Sequence, residues 1–203
     1  MALLQQGKPV IIHAPTGCGK TRAALAPFMD AWARLMPEEF PRQCLYSVPM
    51  RVLASQFEEE YRLLALSLAD QLPRPMSVTI QTGERAEDPK FLGDMVFATL
   101  DQVLSSALGV PYSLSVGQSN MNFGAVWSSY LVFDEFHLFP LEARDTTLQL
   151  LKVFGRYVPF TLMTATFSRT MLSEIADLLH AVPVVLDDSE IAAIECRGAL
   201  ERR

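Results

Sequence analysis

Short, nearly unbroken apolar runs alternate along this chain with longer stretches whose apolar residues recur at helical spacing. VIIHA at 10–14, CLYSVP at 44–49, VTIQ at 78–81, MVFAT at 95–99, YLVFDE at 130–135, FTLMTAT at 160–166 and VPVVL at 182–186 have the length and composition of strands. After the first of them the pattern predicts a helix from Lys20 to Met36, with Ala24, Phe28, Ala31, Trp32 and Leu35 on one stripe and Pro27 bending its early turns. A second helix follows residue 49, with Leu53, Phe57, Tyr61, Leu64 and Leu68 at helical spacing and Glu58, Glu59 and Glu60 mostly toward water. A short helix is predicted from Asp101, and another from Leu141 to Phe154 with Leu148, Leu151 and Phe154 inward. Ser168 is the expected N-cap of a further helix that carries Leu172, Ile175 and Leu179. Residues 109–128, GVPYSLSVGQSNMNFGAVWS, are rich in Gly and Ser and poor in charge, and predict a long connection with one helical turn near Phe123 to Trp127. Strand–helix alternation of this kind means an α/β fold, a mainly parallel sheet with helices on both faces.

The length of 203 residues fits one large domain with a sizeable core, and with half the residues apolar an ordinary globular fold is the default. No apolar stretch reaches the ~18 residues of a membrane span. The N-terminal MALLQQGKPVIIHAP has neither a basic leader nor a cleavage site, so no signal peptide is expected. Cys18, Cys44 and Cys196 are odd in number and widely spaced, which suits free thiols and a cytoplasmic location. A net charge of −6 argues against a chain that coats nucleic acid non-specifically, while leaving room for a local basic track.

Two stretches carry chemistry. Residues 14–21 read APTGCGKT, a phosphate-binding loop with Ala in place of its first Gly, set between a buried strand and a helix. Gly17 and Gly19 let the backbone curl so that the N–H groups of Thr16 to Thr21 can face phosphate oxygens, and the helix N-terminus adds its partial positive charge. Lys20 would neutralise the β- and γ-phosphates of ATP, and the Thr21 hydroxyl would reach Mg²⁺. Residues 134–137 read DEFH at the end of a buried strand. An acidic pair there can be a solvated strand end. Together with the upstream loop, Asp134 reads as the second magnesium partner and Glu135 as the base that orients and deprotonates the attacking water. His137 is open to two readings, a satisfied structural histidine or a sensor that passes the nucleotide state onward.

APTGCGKT, DEFH and TAT at 164–166, in this order, resemble motifs I, II and III of superfamily-2 helicases, and SVPMRVLASQ at 47–56 and FATLDQVL at 97–104 resemble motifs Ia and Ib. ATLDQVL, a long loop and then SYLVFDEFHLF are similar in particular to the CRISPR-associated helicase–nuclease of type I interference systems. The resemblance implies a RecA-like P-loop NTPase domain over residues 1–203, the first of two motor domains, with the second and a His-Asp nuclease domain outside this sequence. It implies an ATP-dependent helicase that moves single-stranded DNA and works with a CRISPR surveillance complex. Pro49, Met50 and Arg51 in motif Ia and Thr99, Asp101 and Gln102 in motif Ib would grip the strand backbone, and Thr164 and Thr166 would link ATP turnover to its movement. Arg51, one cation at a strand-to-helix junction, suits a phosphate on physical grounds too, whereas Asp101 reads equally well as an N-cap. Gln81-Thr82-Gly83 reads as a simple turn or a further backbone contact, and Gln5 and Gln6 are the nearby candidates for reading adenine. Arginine fingers would come from the second domain, and since one is worth roughly 10³–10⁵ in turnover, this chain alone is expected to hydrolyse ATP weakly.

Overall fold

In the computed structural model, which describes residues 2–34, 40–186 and 190, the apolar runs become strands β1 Val10–His13, β2 Cys44–Val48, β3 Val78–Gln81, β4 Met95–Thr99, β5 Tyr130–Phe133, β6 Phe160–Thr164 and β7 Val182–Val185. They form one seven-stranded sheet in the order β3-β4-β2-β5-β6-β1-β7. Every pairing between neighbouring strands is parallel. β2, β4, β5 and β6 are buried along their whole length, as strands covered on both faces must be. Only the lengths at the C-terminal ends differ from the sequence pattern. The polar residues that close the runs, such as Asp134 and Glu135, leave the sheet and form loops.

Side chains of period two divide the core between the faces. Cys44, Tyr46 and Val48 of β2 join α2 Lys20–Ala33 and α3 Arg51–Ser67 through Leu25, Phe28, Trp32, Ala54 and Tyr61. Leu45 of the same strand faces the other way. It joins a cluster built from α4 Leu100–Ala107, α5 Ser119–Ser128, α6 Leu141–Phe154 and α7 Arg169–Leu179, which includes Val103, Val126, Leu151 and Ile175. A short helix, α1 Ala2–Gln5, precedes β1. Ser168 caps α7 as its position predicts, its hydroxyl accepting from the Met171 N–H at 3.2 Å. Pro27 lies inside α2, and Leu35, Met36 and Cys196 fall outside the described residues.

Four expectations are corrected. The connection at 109–128 holds a full ten-residue helix, α5, preceded by one 3₁₀ turn at Val116–Gln118. Its contacts explain why its composition gave so little warning. Asn122 is buried and donates to Pro89 O at 2.9 Å, and Trp127 stacks on Phe154 with ring centres 4.4 Å apart and donates to Ala107 O. Tertiary contacts hold such a helix more than propensity does. Glu58 does not face water: it is 2% exposed, held by Arg62 at 3.2 Å and Arg85 at 3.3 Å. Leu64, expected inward, is 39% exposed, because α3 turns its Ala54–Glu58–Tyr61–Ala65 stripe to the sheet. Finally, Asp101 is in the first turn of α4, and the N-cap position belongs to Thr99.

The end of α6 meets the sheet with no spare volume. A Cβ on Gly155 would stand 2.5 Å from the Phe160 ring and 2.4 Å from Leu151 O. Gly155→Ala is therefore expected to lower stability by ~1–3 kcal/mol, the range for overpacked sites. This should appear as a lower urea midpoint with an unchanged slope, and an unshifted midpoint would show that this junction yields freely.

Candidate nucleotide-binding site

The chain leaves β1 at His13 and winds through residues 14–19 into α2. Gly17 (φ 84°) and Gly19 (φ 80°) are left-handed, and a Cβ on either would meet nothing within 4 Å, so backbone conformation rather than space calls for glycine here. Lys20 opens α2 yet is 7% exposed, because its side chain folds back over the loop. Its ammonium donates to Ala14 O at 3.1 Å and Pro15 O at 3.2 Å and stands 3.6 Å from Glu135 Oε1. Thr16 is exposed and Cys18 half-buried on the rim of the loop.

β5 supplies the acidic side. The Asp134 N–H donates to Ser47 O at 2.9 Å, which anchors the chain as it leaves the sheet, and the carboxylate is 4% exposed. Oδ1 accepts from the Glu135 N–H at 2.8 Å, and Oδ2 accepts from the Tyr46 hydroxyl at 2.7 Å. The same Tyr46 oxygen lies 3.3 Å from Thr21 Oγ1, so the hydroxyl of the first motif and the carboxylate of the second meet at one atom. Burial pushes the Asp134 carboxyl above the usual carboxylate range; the Glu135 charge adds to this, while the Tyr46 hydrogen bond and Lys20 oppose it.

Glu135 adopts a left-handed backbone (φ 47°, ψ 45°) before a 3₁₀ turn at Phe136–Leu138. For a residue with a Cβ that conformation costs roughly 1–2 kcal/mol, and it turns Glu135 away from the strand direction toward Lys20. Its Oε2 is buried without a hydrogen bond among the described residues, with His137 Nδ1 nearby at 3.4 Å. The same His137 nitrogen is 3.3 Å from Thr164 Oγ1. Thr164 O in turn accepts from the Ala14 N–H at 3.2 Å, which closes a ring from the phosphate loop through motif II to motif III and back.

Lys20, Thr21, Asp134, Glu135, His137 and Thr164 thus come together, whereas Thr166 is exposed and stands outside the ring. The proposed strand grip forms a separate corner. Val48 pairs with Thr99, which sets Pro49, Met50 and Arg51 beside Thr99, Asp101 and Gln102. Met50, Arg51 and Asp101 face outward; Thr99 and Gln102 are buried, and Gln102 accepts from Gln81 at 3.3 Å. Arg51 is ion-paired with Glu84. Sequence reasoning missed Tyr46, since a tyrosine in an apolar strand carries no mark that separates it from the core.

The donors suit the expected groups. Hard oxygens from one carboxylate and one hydroxyl fit Mg²⁺, which takes the rest of its shell from phosphates and water. Among the described residues, no three His, Cys, Asp or Glu side chains gather into a protein-only cage. Two left-handed glycines, a helix N-terminus and a buried ammonium fit a triphosphate.

An all-parallel sheet with a phosphate loop after β1 and an acidic pair after β5 defines a RecA-like P-loop NTPase domain. The DEAD/DEAH box helicase model matches residues 1–175, and the chain belongs to that family, as a superfamily-2 helicase RecA-like domain. It is similar to the CRISPR-associated helicase Cas3 of Thermoproteus tenax, 32% identical over 143 residues (66% of this chain, 25% of the relative). It is also similar to the ATP-dependent DNA helicase Hel308 of Thermoplasma acidophilum, 29% identical over 186 residues (88% and 23%). Among solved structures, the DUF1998 helicase MrfA bound to DNA superposes with a TM-score of 0.67 at 17% identity, covering 92% of this chain and 24% of that one. The chain spans about a quarter of the length of each. No helix among the described residues is long and apolar enough to cross a membrane.

Cys18 provides a direct test of where the phosphates sit. With saturating ATP its alkylation should slow severalfold if residues 14–21 cradle the triphosphate. A labelling rate indifferent to nucleotide would place the phosphates elsewhere.

Proposed function

We propose that this chain is the ATP-binding half of an ATP-dependent DNA helicase or translocase, acting on single-stranded DNA in CRISPR interference, an antiviral defence. The observation that carries the motor reading is the Lys20–Glu135–His137–Thr164 line, which joins the phosphate loop to the strand that leads toward motif III.

Lys20 is buried among two carbonyls and one carboxylate. Turning its ammonium to the β- and γ-phosphate oxygens exchanges those partners for stronger ones and releases Glu135 from the ion pair. Thr21 and Asp134 would hold Mg²⁺, which would supply positive charge against the charge that develops on the phosphate oxygens. Glu135, freed and held in its left-handed turn, orients the attacking water and takes its proton. His137 Nδ1, near both Glu135 Oε2 and Thr164 Oγ1, responds to that change of charge, and Thr164 carries it into β6. From there it would reach a second RecA-like domain, the partner that brings arginine fingers and the other wall of the strand groove. This chain alone should therefore turn ATP over weakly.

The CRISPR assignment is supported by motif Ib, by DEFH with its preceding loop, and by the Cas3 relative; it brings a CRISPR surveillance complex as partner and the cytoplasm as location. A second reading, a DNA helicase outside CRISPR defence, is favoured by the longer reach of the Hel308 alignment, 88% of the chain against 66%. ATPase stimulation that requires a DNA-loaded surveillance complex supports the first; full stimulation by free forked or single-stranded DNA supports the second.

Glu135→Gln, made in a longer chain that includes the second motor domain, should keep Mg·ATP affinity within about twofold and lower turnover by roughly 10²–10⁴, the usual weight of a general base. Nucleotide titration and phosphate release measure the two separately. Equal loss of both would make Glu135 structural or a metal ligand, and unchanged turnover would favour a module that uses nucleotide only for docking.

The strand grip on this domain should be weak by itself. With a net charge of −6 and Arg51 already paired to Glu84, about two or three phosphate contacts would give a slope near −0.7 per contact in log affinity against log salt. Affinity should rise sharply in the longer chain. Arg51→Ala should weaken binding equally for all sequences, since a backbone contact carries no base information. Tight binding by this chain alone with a steep salt slope would end the half-motor reading.

A further inference from the structure

Tyr46 lies in the middle of β2, wholly buried, on a strand that belongs to neither the phosphate loop nor the acidic pair. Its ring is fixed from both sides: Phe57 of α3 packs with ring centres 5.5 Å apart and Phe97 of β4 at 5.2 Å. The hydroxyl is therefore held at one point, and that point is where Asp134 Oδ2 (2.7 Å) and Thr21 Oγ1 (3.3 Å) converge. One phenolic proton serves one acceptor. It goes to the carboxylate, the nearer of the two, and Thr21 Oγ1 stands 3.3 Å from the same phenolic oxygen. Asp134 Oδ1 is already held by the Glu135 N–H, so Tyr46 supplies the second of two fixed donors that leave the carboxylate one orientation.

We infer that Tyr46 is a positioning residue for magnesium: it sets the Asp134 carboxylate and the Thr21 hydroxyl in register, so that the site favours Mg·ATP over metal-free ATP. This rests on the reading of Thr21 and Asp134 as the magnesium holders. Mg²⁺ demands near-ideal octahedral geometry, so a carboxylate free to swing toward Lys20 is a poorer partner than one pinned by a donor. Groups behind metal ligands commonly set affinity this way, and their loss costs about 10–100-fold. Tyr46 also places that register under the control of α3 and β4, the elements that begin and end in motifs Ia and Ib, through Phe57 and Phe97.

Tyr46→Phe keeps the ring and its packing and removes the hydroxyl alone. In the 203-residue chain, a fluorescent ATP analogue titrated in EDTA should bind the variant and the wild type alike. The Mg²⁺ concentration that half-restores full affinity should rise about 10–100-fold in the variant. Adding Tyr46→Phe to Asp134→Asn should cost clearly less than Tyr46→Phe alone, since one of the two groups that the hydroxyl positions is already altered. A Mg²⁺ requirement within twofold of wild type overturns the inference, whatever happens to the melting temperature. In the wild-type chain, adding Mg²⁺ to the ADP-bound protein should perturb tyrosine absorption, which tests the same contact without relying on the variant's folding; no perturbation also overturns it. A wild type that shows no Mg²⁺-dependent gain at all would instead sink the magnesium reading of Thr21 and Asp134, and the inference with it.

Discussion

Parallel pairing across the whole sheet is the constraint on which the site depends. Every strand delivers its C-terminal end to the same edge, which is where open α/β sheets bind ligands. Register then sets the levels. His13 lies beside Thr164, and Phe133 lies beside Leu162, two residues earlier on β6. β5 therefore ends short of β1, and Asp134 and Glu135 fill the step between them. Lys20 reaches Glu135 across that step because α2 starts behind it.

The site is built against local stability. Glu135 sits in a conformation disfavoured for any residue with a Cβ, Asp134 is buried enough that its charged form is penalised, and Glu135 Oε2 has no hydrogen bond among the described residues. Strain and unmet polar demand of this kind cluster where ligands complete them. The apolar clusters on both faces of the sheet hold these groups in place. Glu58 shows the contrasting case: it is as buried as Asp134, but Arg62 and Arg85 answer it fully, and nothing about it invites a ligand.

The two groups of candidate residues are physically separate, one at β1, β5 and β6, the other at β2 and β4. Tyr46 is the bridge. Its hydroxyl belongs to the first group, and its ring packs with Phe57 and Phe97, on the elements that carry the second. An oxygen placed by aromatic packing makes the geometry of the phosphate site sensitive to how α3 and β4 sit. At the second corner, Arg51 paired to Glu84 and exposed Asp101 leave little uncompensated positive charge, in keeping with the acidic balance of the whole chain.

The strands, the parallel α/β architecture and the phosphate loop were legible in the chain because each is written locally. An apolar run of four or five residues, a glycine that needs positive φ, and a Ser before an amphipathic stretch each specify their own conformation from neighbours in sequence. α5 was not legible, because its hold comes from Asn122, Trp127 and their distant partners rather than from propensity. Glu58 and Leu64 were misplaced for a similar reason: the face that α3 turns inward follows from the shape of the sheet beneath it and from Arg85 across the loop. Lys20, Asp134 and Glu135 could be named from their motifs. Their pairing, the left-handed turn at Glu135, the path through His137 to Thr164 and the place of Tyr46 join residues as many as 144 positions apart, from Lys20 to Thr164. Distances of that kind are set only when strands far apart in sequence lie side by side, and so the tertiary structure alone decides them.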